Sequence, residues 1–256
     1  MRRLGLVLIA IALVVYAALC GTLYSLQRSL IYFPTPESRS SRAEALSIAT
    51  DGAVLKVWRV SGSGDRAVIY FGGNAEDVAG NIAPFAAAFP GTAIYLVNYR
   101  GYGGSTGSPS EAALLADAEV VFDRVRVEHS RVAVIGRSLG SGVAVHLASV
   151  RDVSKLALVA PYDSVLRIAQ RQLSFVPVSW LLKDRFDSLA SAPLVRAPVL
   201  VLLAELDRVI PREHSERLVA AFAPGQAEVR TIAATNHDSI SAVPEYARSL
   251  AAFLLN

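Results

Sequence analysis

Val132-Ala133-Val134-Ile135-Gly136-Arg137-Ser138-Leu139-Gly140-Ser141-Gly142-Val143-Ala144-Val145 is the stretch that decides the fold. Its first four residues read as a buried strand, and the small residues from Gly140 onward read as a helix. Between them stands Gly136-Arg137-Ser138-Leu139-Gly140, a G-x-S-x-G sequence between the strand and the helix that give it meaning. A serine at such a sharp turn sits in strained backbone. Its neighbours two residues away on each side must then be small, so that strand and helix can pass closely. The helix start and the amide of Leu139 face any negative charge that develops there. A strand-to-helix turn that merely contains a serine needs no glycine on both sides, so the paired glycines favour a nucleophile.

Further apolar runs lie on either side of this stretch. Arg66 to Phe71 ends in Gly72-Gly73, Ala93 to Tyr99 ends at Arg100-Gly101, and Leu156 to Ala160 stops at Pro161. Val199 to Ala204 follows Pro198, and Val229 to Ala233 is the last. Runs without alternation belong to strands covered on both faces, as in a parallel sheet. Val54 to Val60 does alternate, and pairs with Leu46 to Thr50 across the turn Asp51-Gly52. Helices are expected over Val78 to Phe89, Ser110 to Glu128, Ser138 to Val150, Pro211 to Phe222 and Pro244 to Leu255. Ser110 suits an N-cap, and Pro211 and Pro244 suit first turns. Strands alternating with helices over most of the chain imply an α/β fold, with a mostly parallel, doubly wound sheet flanked by helices.

A nucleophilic serine needs a base, and the base needs a carboxylate to orient it. Four histidines are available. His129 precedes the serine at a helix end, and His146 lies on the serine's own helix two turns from its catalytic end. His214 stands in the first turns of the helix from Pro211 and reads as a solvated residue. His237, in the loop Thr235-Asn236-His237-Asp238 beyond the last strand, is the expected base. For the acid, Asp207 follows the strand Val199 to Ala204, where ligand sites gather in such sheets. Glu205 is its nearest rival. Asp238 is weaker, because a side chain rarely bonds the imidazole directly before it. A helix-capping role ahead of Pro211 is the plainer alternative for Asp207.

The second oxyanion donor belongs in the loop after an early strand, where Gly72-Gly73-Asn74-Ala75 offers the amide of Asn74. Glycines there let the backbone approach a substrate closely. Another glycine-rich loop, Gly101-Tyr102-Gly103-Gly104-Ser105-Thr106-Gly107, lacks dinucleotide spacing and reads as structural.

The N-terminus is a separate problem. After Arg2-Arg3, no charge occurs from Leu4 to Gln27. As a helix this window reaches about 36 Å, against a hydrocarbon core of about 30 Å. Ala18-Leu19-Cys20 is a poor cleavage site, and Leu19 is wrong for a lipoprotein. Residues 1–27 are therefore expected to form an uncleaved signal anchor. Arg2 and Arg3 would hold its start in the cytoplasm, against opposing charges at Arg28, Arg39 and Arg42. A polar linker, Pro34 to Ser41, follows.

The whole chain has 256 residues, only 18% charged, which excludes disorder and a coiled coil. Basic and acidic residues nearly balance, 25 against 22, without a basic run, so no nucleic-acid partner is implied. One cysteine, Cys20, excludes an intrachain disulfide framework and a cysteine-based zinc site. No metal or organic cofactor is expected.

These residues together resemble the α/β-hydrolase superfamily, in particular its membrane-anchored BEM46-like branch. The pieces that carry the resemblance are Leu30-Ile31-Tyr32-Phe33-Pro34, Tyr70-Phe71-Gly72-Gly73-Asn74-Ala75 and Asn98-Tyr99-Arg100-Gly101-Tyr102-Gly103-Gly104-Ser105. The serine turn, Lys183-Asp184-Arg185-Phe186-Asp187-Ser188 and the loops of Asp207 and His237 complete them. By resemblance, residues 28–256 form the hydrolase domain, with a short cap over 161–197. Ser138, Asp207 and His237 form the triad, and Leu139 with Asn74 the oxyanion hole. The branch usually has His-Gly-Asn at the early loop, where this chain has Gly72 in place of the histidine. The implied activity is hydrolysis of esters or thioesters, with a serine peptidase as the alternative. A tethered, non-catalytic binding module is the alternative from another class. The apolar stretch Phe175 to Leu182 in the cap lines an acyl site or faces a bilayer, or else packs on the core, and a tether suits small-molecule or lipid-like acyl substrates.

Overall fold

Apolar runs that do not alternate must be covered on both sides, and the computed structural model gives them that setting. It describes residues 2–256. Met1, the first residue of the expected anchor, lies outside the described residues. The strands are β1 (Glu44–Thr50), β2 (Ala53–Val60), β3 (Arg66–Phe71), β4 (Ala93–Val97), β5 (Arg131–Arg137), β6 (Leu156–Val159), β7 (Val199–Ala204) and β8 (Ala227–Ile232). Among the described residues they form one sheet in the order β1-β2-β4-β3-β5-β6-β7-β8. β1 and β2 form the antiparallel hairpin expected across Asp51-Gly52, and β2 joins β4 antiparallel. Every later pairing is parallel.

Side chains of successive residues leave the sheet on opposite faces and feed two cores. From β3, Ala67, Ile69 and Phe71 enter one core, while Val68 and Tyr70 enter the other. The helices are α1 (Arg2–Ile31), α2 (Ile82–Ala88), α3 (Glu111–Glu128), α4 (Leu139–Val150), α5 (Val165–Gln172), α6 (Val178–Leu181), α7 (Ser188–Ser191), α8 (Arg212–Ala221) and α9 (Pro244–Leu255), of which α2 and α9 cover one face of the sheet and α3, α4 and α8 the other. Ser110 caps α3 through the Ala113 amide, as its position implies. The helix expected from Val78 to Phe89 is broken. A 3-10 turn over Val78–Asn81, capped by Asp77, precedes α2. Pro84 lacks an amide proton, so restarting the helix at Ile82 puts it in a first turn, where that donor is not needed.

The N-terminal segment differs from its expected bounds. α1 continues past Gln27 to Ile31 and docks its last turns on the domain. The buried Gln27 side chain accepts the Lys183 amide proton at 2.7 Å and donates to the Leu181 carbonyl. Arg28 pairs with Asp184. The expected linker is also tied down: Gly103 donates to the Thr35 carbonyl, and Glu37 pairs with Lys56. Upstream, the helix is apolar around its whole circumference and its most apolar window is fully exposed, so it is long and apolar enough to cross a membrane.

Candidate active site

The serine turn follows from close packing. A Cβ at Gly136 would collide with the Gly140 carbonyl and lie 2.6 Å from Ala144 Cβ, and one at Gly140 would collide with the Phe71 carbonyl. Only glycines let α4 cross β5 and β3 this closely. Ser138, between them, is held at φ 48°, ψ −116°, a conformation that L-residues rarely occupy and that aims Oγ away from the sheet.

His237 Nε2 lies 2.9 Å from Ser138 Oγ, and His237 Nδ1 lies 2.8 Å from Asp207 Oδ2. The three side chains expected as nucleophile, base and acid are thus brought into one hydrogen-bonded line from β5, β7 and β8. Asp207 does not cap the helix as its plainer alternative required, since the N-cap of α8 is Pro211 with no side-chain cap bond. Its Oδ1 accepts the amides of Val209 and Ile210 at 2.9 and 2.8 Å, which organises the turn ahead of α8. One oxygen builds the loop and the other takes the imidazole. Burial pushes the Asp207 carboxyl up, but the bonds from His237 and the two amides outweigh it and hold the group below the ordinary carboxylate range. Glu205 instead accepts the Ala234 amide.

His214 departs from expectation. It is only 2% exposed, and its Nδ1 lies 2.6 Å from Asp163 Oδ1. Helix periodicity turns that position of α8 inward, onto the end of β6. His129 bonds Tyr95, and His146 pairs with Glu119.

Asn74 and Leu139 both line the cavity that Ser138 lines. Leu139 is the first residue of α4, so its amide has no intrahelical acceptor. Among the described residues the Asn74 amide donates to no protein group. The Asn74 side chain is an anchor: Nδ2 donates to the Ile31 carbonyl, and Oδ1 accepts from the Phe33 amide and the Tyr102 hydroxyl. Burial pushes the Tyr102 hydroxyl up to about 12, so it remains a donor across the neutral range. The glycine-rich loop read as structural is what delivers Tyr102, through positive φ at Gly101, Gly103, Gly104 and Gly107. Gly72 fits the early loop of Asn74 for a steric reason, since a Cβ there would lie 2.7 Å from Val78 and 3.2 Å from Glu76.

Sequence reading missed Glu76 and Arg137. Glu76 takes the Gly73 amide at 2.6 Å, the Tyr70 hydroxyl and the Asn81 amide group at 2.7 Å each, and Arg137 Nη1 at 2.9 Å. Arg137 Nη2 then donates to the His237 carbonyl at 3.1 Å. One part-buried ion pair thereby joins the early loop, the serine turn and the histidine loop. Burial opposes the Arg137 charge, and Glu76 together with Tyr70 and Tyr246 more than offsets it. The position of Arg137 inside the G-x-S-x-G sequence was the available signal, but a variable position carries no marked role.

The cavity has a volume of about 370 Å³, within the range of small-molecule sites. Its walls are mostly apolar side chains of α1, α5 and α6, with Gln27 and Gln172 among them, and Ser138 lines it too. Among the described residues no cluster of three or more metal-ligating side chains occurs.

A family model described as alpha/beta hydrolase fold matches residues 66–191. An uncharacterized protein of Mycobacterium tuberculosis is 36% identical over 238 residues, covering 87% of this chain and 84% of that protein. The bem46 protein of Schizosaccharomyces pombe is 25% identical over 264 residues, covering 91% and 87%. Among solved structures, an esterase of Pyrococcus furiosus superposes with a TM-score of 0.73 at 17% identity, covering 88% of this chain and 98% of that one. That last likeness concerns the fold.

Proposed function

The chain belongs to the α/β-hydrolase family, and on that premise we propose that it is a membrane-anchored serine hydrolase cleaving carboxylic esters or thioesters. The observation that carries the reading is the line Asp207–His237–Ser138, at 2.8 and 2.9 Å, on a strained turn that opens into an apolar cavity. His237 Nε2 takes the Ser138 proton as Oγ attacks the acyl carbon. Asp207 holds Nδ1–H and stabilises the imidazolium that forms. The carbonyl oxygen, now an anion, is received by the amides of Leu139 and Asn74. Collapse expels the alcohol or thiol, which leaves with the proton from Nε2. Water, deprotonated by the same imidazole, then hydrolyses the acyl-serine and restores the enzyme. No cofactor takes part in these steps.

Anchoring rests on α1. An apolar helix exposed on all sides needs hydrocarbon around it, and its last turns belong to the cavity wall, which favours retention over cleavage. Arg2 and Arg3 ahead of the apolar run keep the N-terminus in the cytoplasm and the domain on the extracytoplasmic side.

The test is hydrolysis of p-nitrophenyl esters by detergent-solubilised full chain beside Ser138→Ala. Turnover that disappears in the variant is the expected result. Equal turnover in both, or silence in both with folding verified, overturns the reading in favour of a peptidase or a tethered binding module.

A further inference from the structure

The cavity over Ser138 is walled in part by α1, which stands beside the cap. Leu23, Tyr24, Leu30 and Ile31 of α1 form one wall, while Ile168 and Leu173 belong to the opposite one. From Leu23 to Ile31 the wall extends about 12 Å along the helix axis. Polar pins hold it in place: Gln27 to the backbone at Leu181 and Lys183, Arg28 to Asp184, and Asn74 to Ile31 and Phe33. These pins lie at the domain end of α1, directly below the apolar span.

The cap itself climbs along that span. The Tyr16 hydroxyl donates to the Phe175 carbonyl at 2.8 Å, so the loop after α5 stands beside α1 two turns nearer the membrane than Leu23. Phe175, at this level, is 61% exposed, and Trp180, nearer the Gln27 pin, is 87% exposed, while Val176 and Val178 between them line the cavity. Two large exposed aromatics, one on the loop after α5 and one on α6, in a cap already pressed against a membrane-spanning helix are poor side chains for water and well suited to a bilayer interface.

We propose that the cleft between α1 and the cap is an acyl-chain subsite open to the bilayer, through which the tail of a membrane-resident long-chain ester or thioester slides sideways to bring its carbonyl to Ser138. This rests on the serine-hydrolase reading. The anchor is then part of the substrate site as well as a tether. The occupant is a hydrocarbon chain because most of the lining is aliphatic; of its polar side chains, Gln27 is tied to the backbone at Leu181 and Lys183, and Ser138 stands where the carbonyl would be met.

The test uses the full chain in lipid nanodiscs. Labelling of Ser138 by a fluorophosphonate and turnover of p-nitrophenyl acetate come first, and their absence refutes the underlying hydrolase reading rather than the subsite. Leu23→Trp fills the cleft and Leu23→Met preserves it. Each buried methylene is worth roughly fourfold in binding, so displacing two or more lowers the palmitate-to-acetate ratio of kcat/KM by about tenfold or more in Leu23→Trp. The ratio in Leu23→Met stays near that of the parent. An unchanged ratio in Leu23→Trp overturns the proposal.

A second measurement needs no activity. The chain has two tryptophans, and Trp58 is buried in the core, so Trp58→Phe isolates Trp180. Its fluorescence is quenched by bromine on lipid acyl chains and shielded from aqueous iodide if the cap meets the bilayer. The opposite pattern overturns the proposal. Fatty acid released from diacyl lipid in the disc, or from an S-acylated peptide inserted in it, identifies the source of the tail. Release from neither by protein that turns over the acetate also overturns the proposal.

Discussion

Two aspartate–histidine pairs are buried in this molecule, at nearly the same distance. His237 lies 2.8 Å from Asp207, and His214 lies 2.6 Å from Asp163. In the first pair the other imidazole nitrogen reaches Ser138 Oγ, and the aspartate's second oxygen is occupied by loop amides. In the second pair the other nitrogen is buried without a partner, and Asp163 also receives Arg217 at 2.6 Å and the Ser164 amide. Asp163 therefore serves to hold α8 and the start of α5 against the end of β6, helped by Ser215 donating to the Pro161 carbonyl. A short aspartate–histidine contact is thus no sign of catalysis. The identity of the third group and its access to a cavity separate a relay from a clamp.

The sharpest way to break this comparison is to cut both pairs. His237→Ala and Asp207→Asn are expected to lower kcat by about 10⁴-fold or more with folding intact, the latter because an amide favours the wrong imidazole tautomer. His214→Ala and Asp163→Asn are expected to keep kcat within a few-fold while stability falls by about 1.5–3 kcal/mol, the range for bonds to a charged group. Ester turnover beside chemical denaturation reads both, and a His214 variant as inactive as the His237 variant would erase the distinction.

A smaller effect sharpens it. Arg137→Met removes the bridge from Glu76 to the His237 carbonyl without touching the relay. Misplacing the imidazole loop should cost about 10²-fold in kcat, with KM for a short ester little changed. Arg137→Lys keeps one of the two bonds and should recover part of the loss. A drop in KM-linked binding alone would mean that Arg137 acts on substrate and not on position.

The smallest effect is on acid stability. The folded-state pKa of Asp207 lies below the ordinary value of about 3.9. Its contribution is therefore fully present above that ordinary value and is lost as pH falls through the lowered one. The stability gap between the parent chain and Asp207→Asn should be constant near neutrality and close only in strong acid. A gap that widened on acidification would reverse the sign.

The strands and the serine turn were legible because each is a local pattern. Val132 to Ile135 has no polar break, and Gly136 and Gly140 are required by a clash between neighbours in the chain. His237 was legible by elimination, since few histidines exist and only one follows the last strand. Asp207 was legible by its place after β7, although its double use of two oxygens was not.

What the sequence alone determined was therefore the layered α/β architecture, the apolar N-terminal helix and the residues expected at the relay. Only the tertiary structure decided that His214 is buried, that Glu76 and Arg137 tie three loops together, and that α1 walls the cavity. Those partners are far apart in the chain: 61 residues from Glu76 to Arg137, 100 from Arg137 to His237 and 156 from Gln27 to Lys183. Periodicity and turn chemistry act over a few residues, whereas a contact between distant side chains exists only after the sheet has brought their loops to one edge.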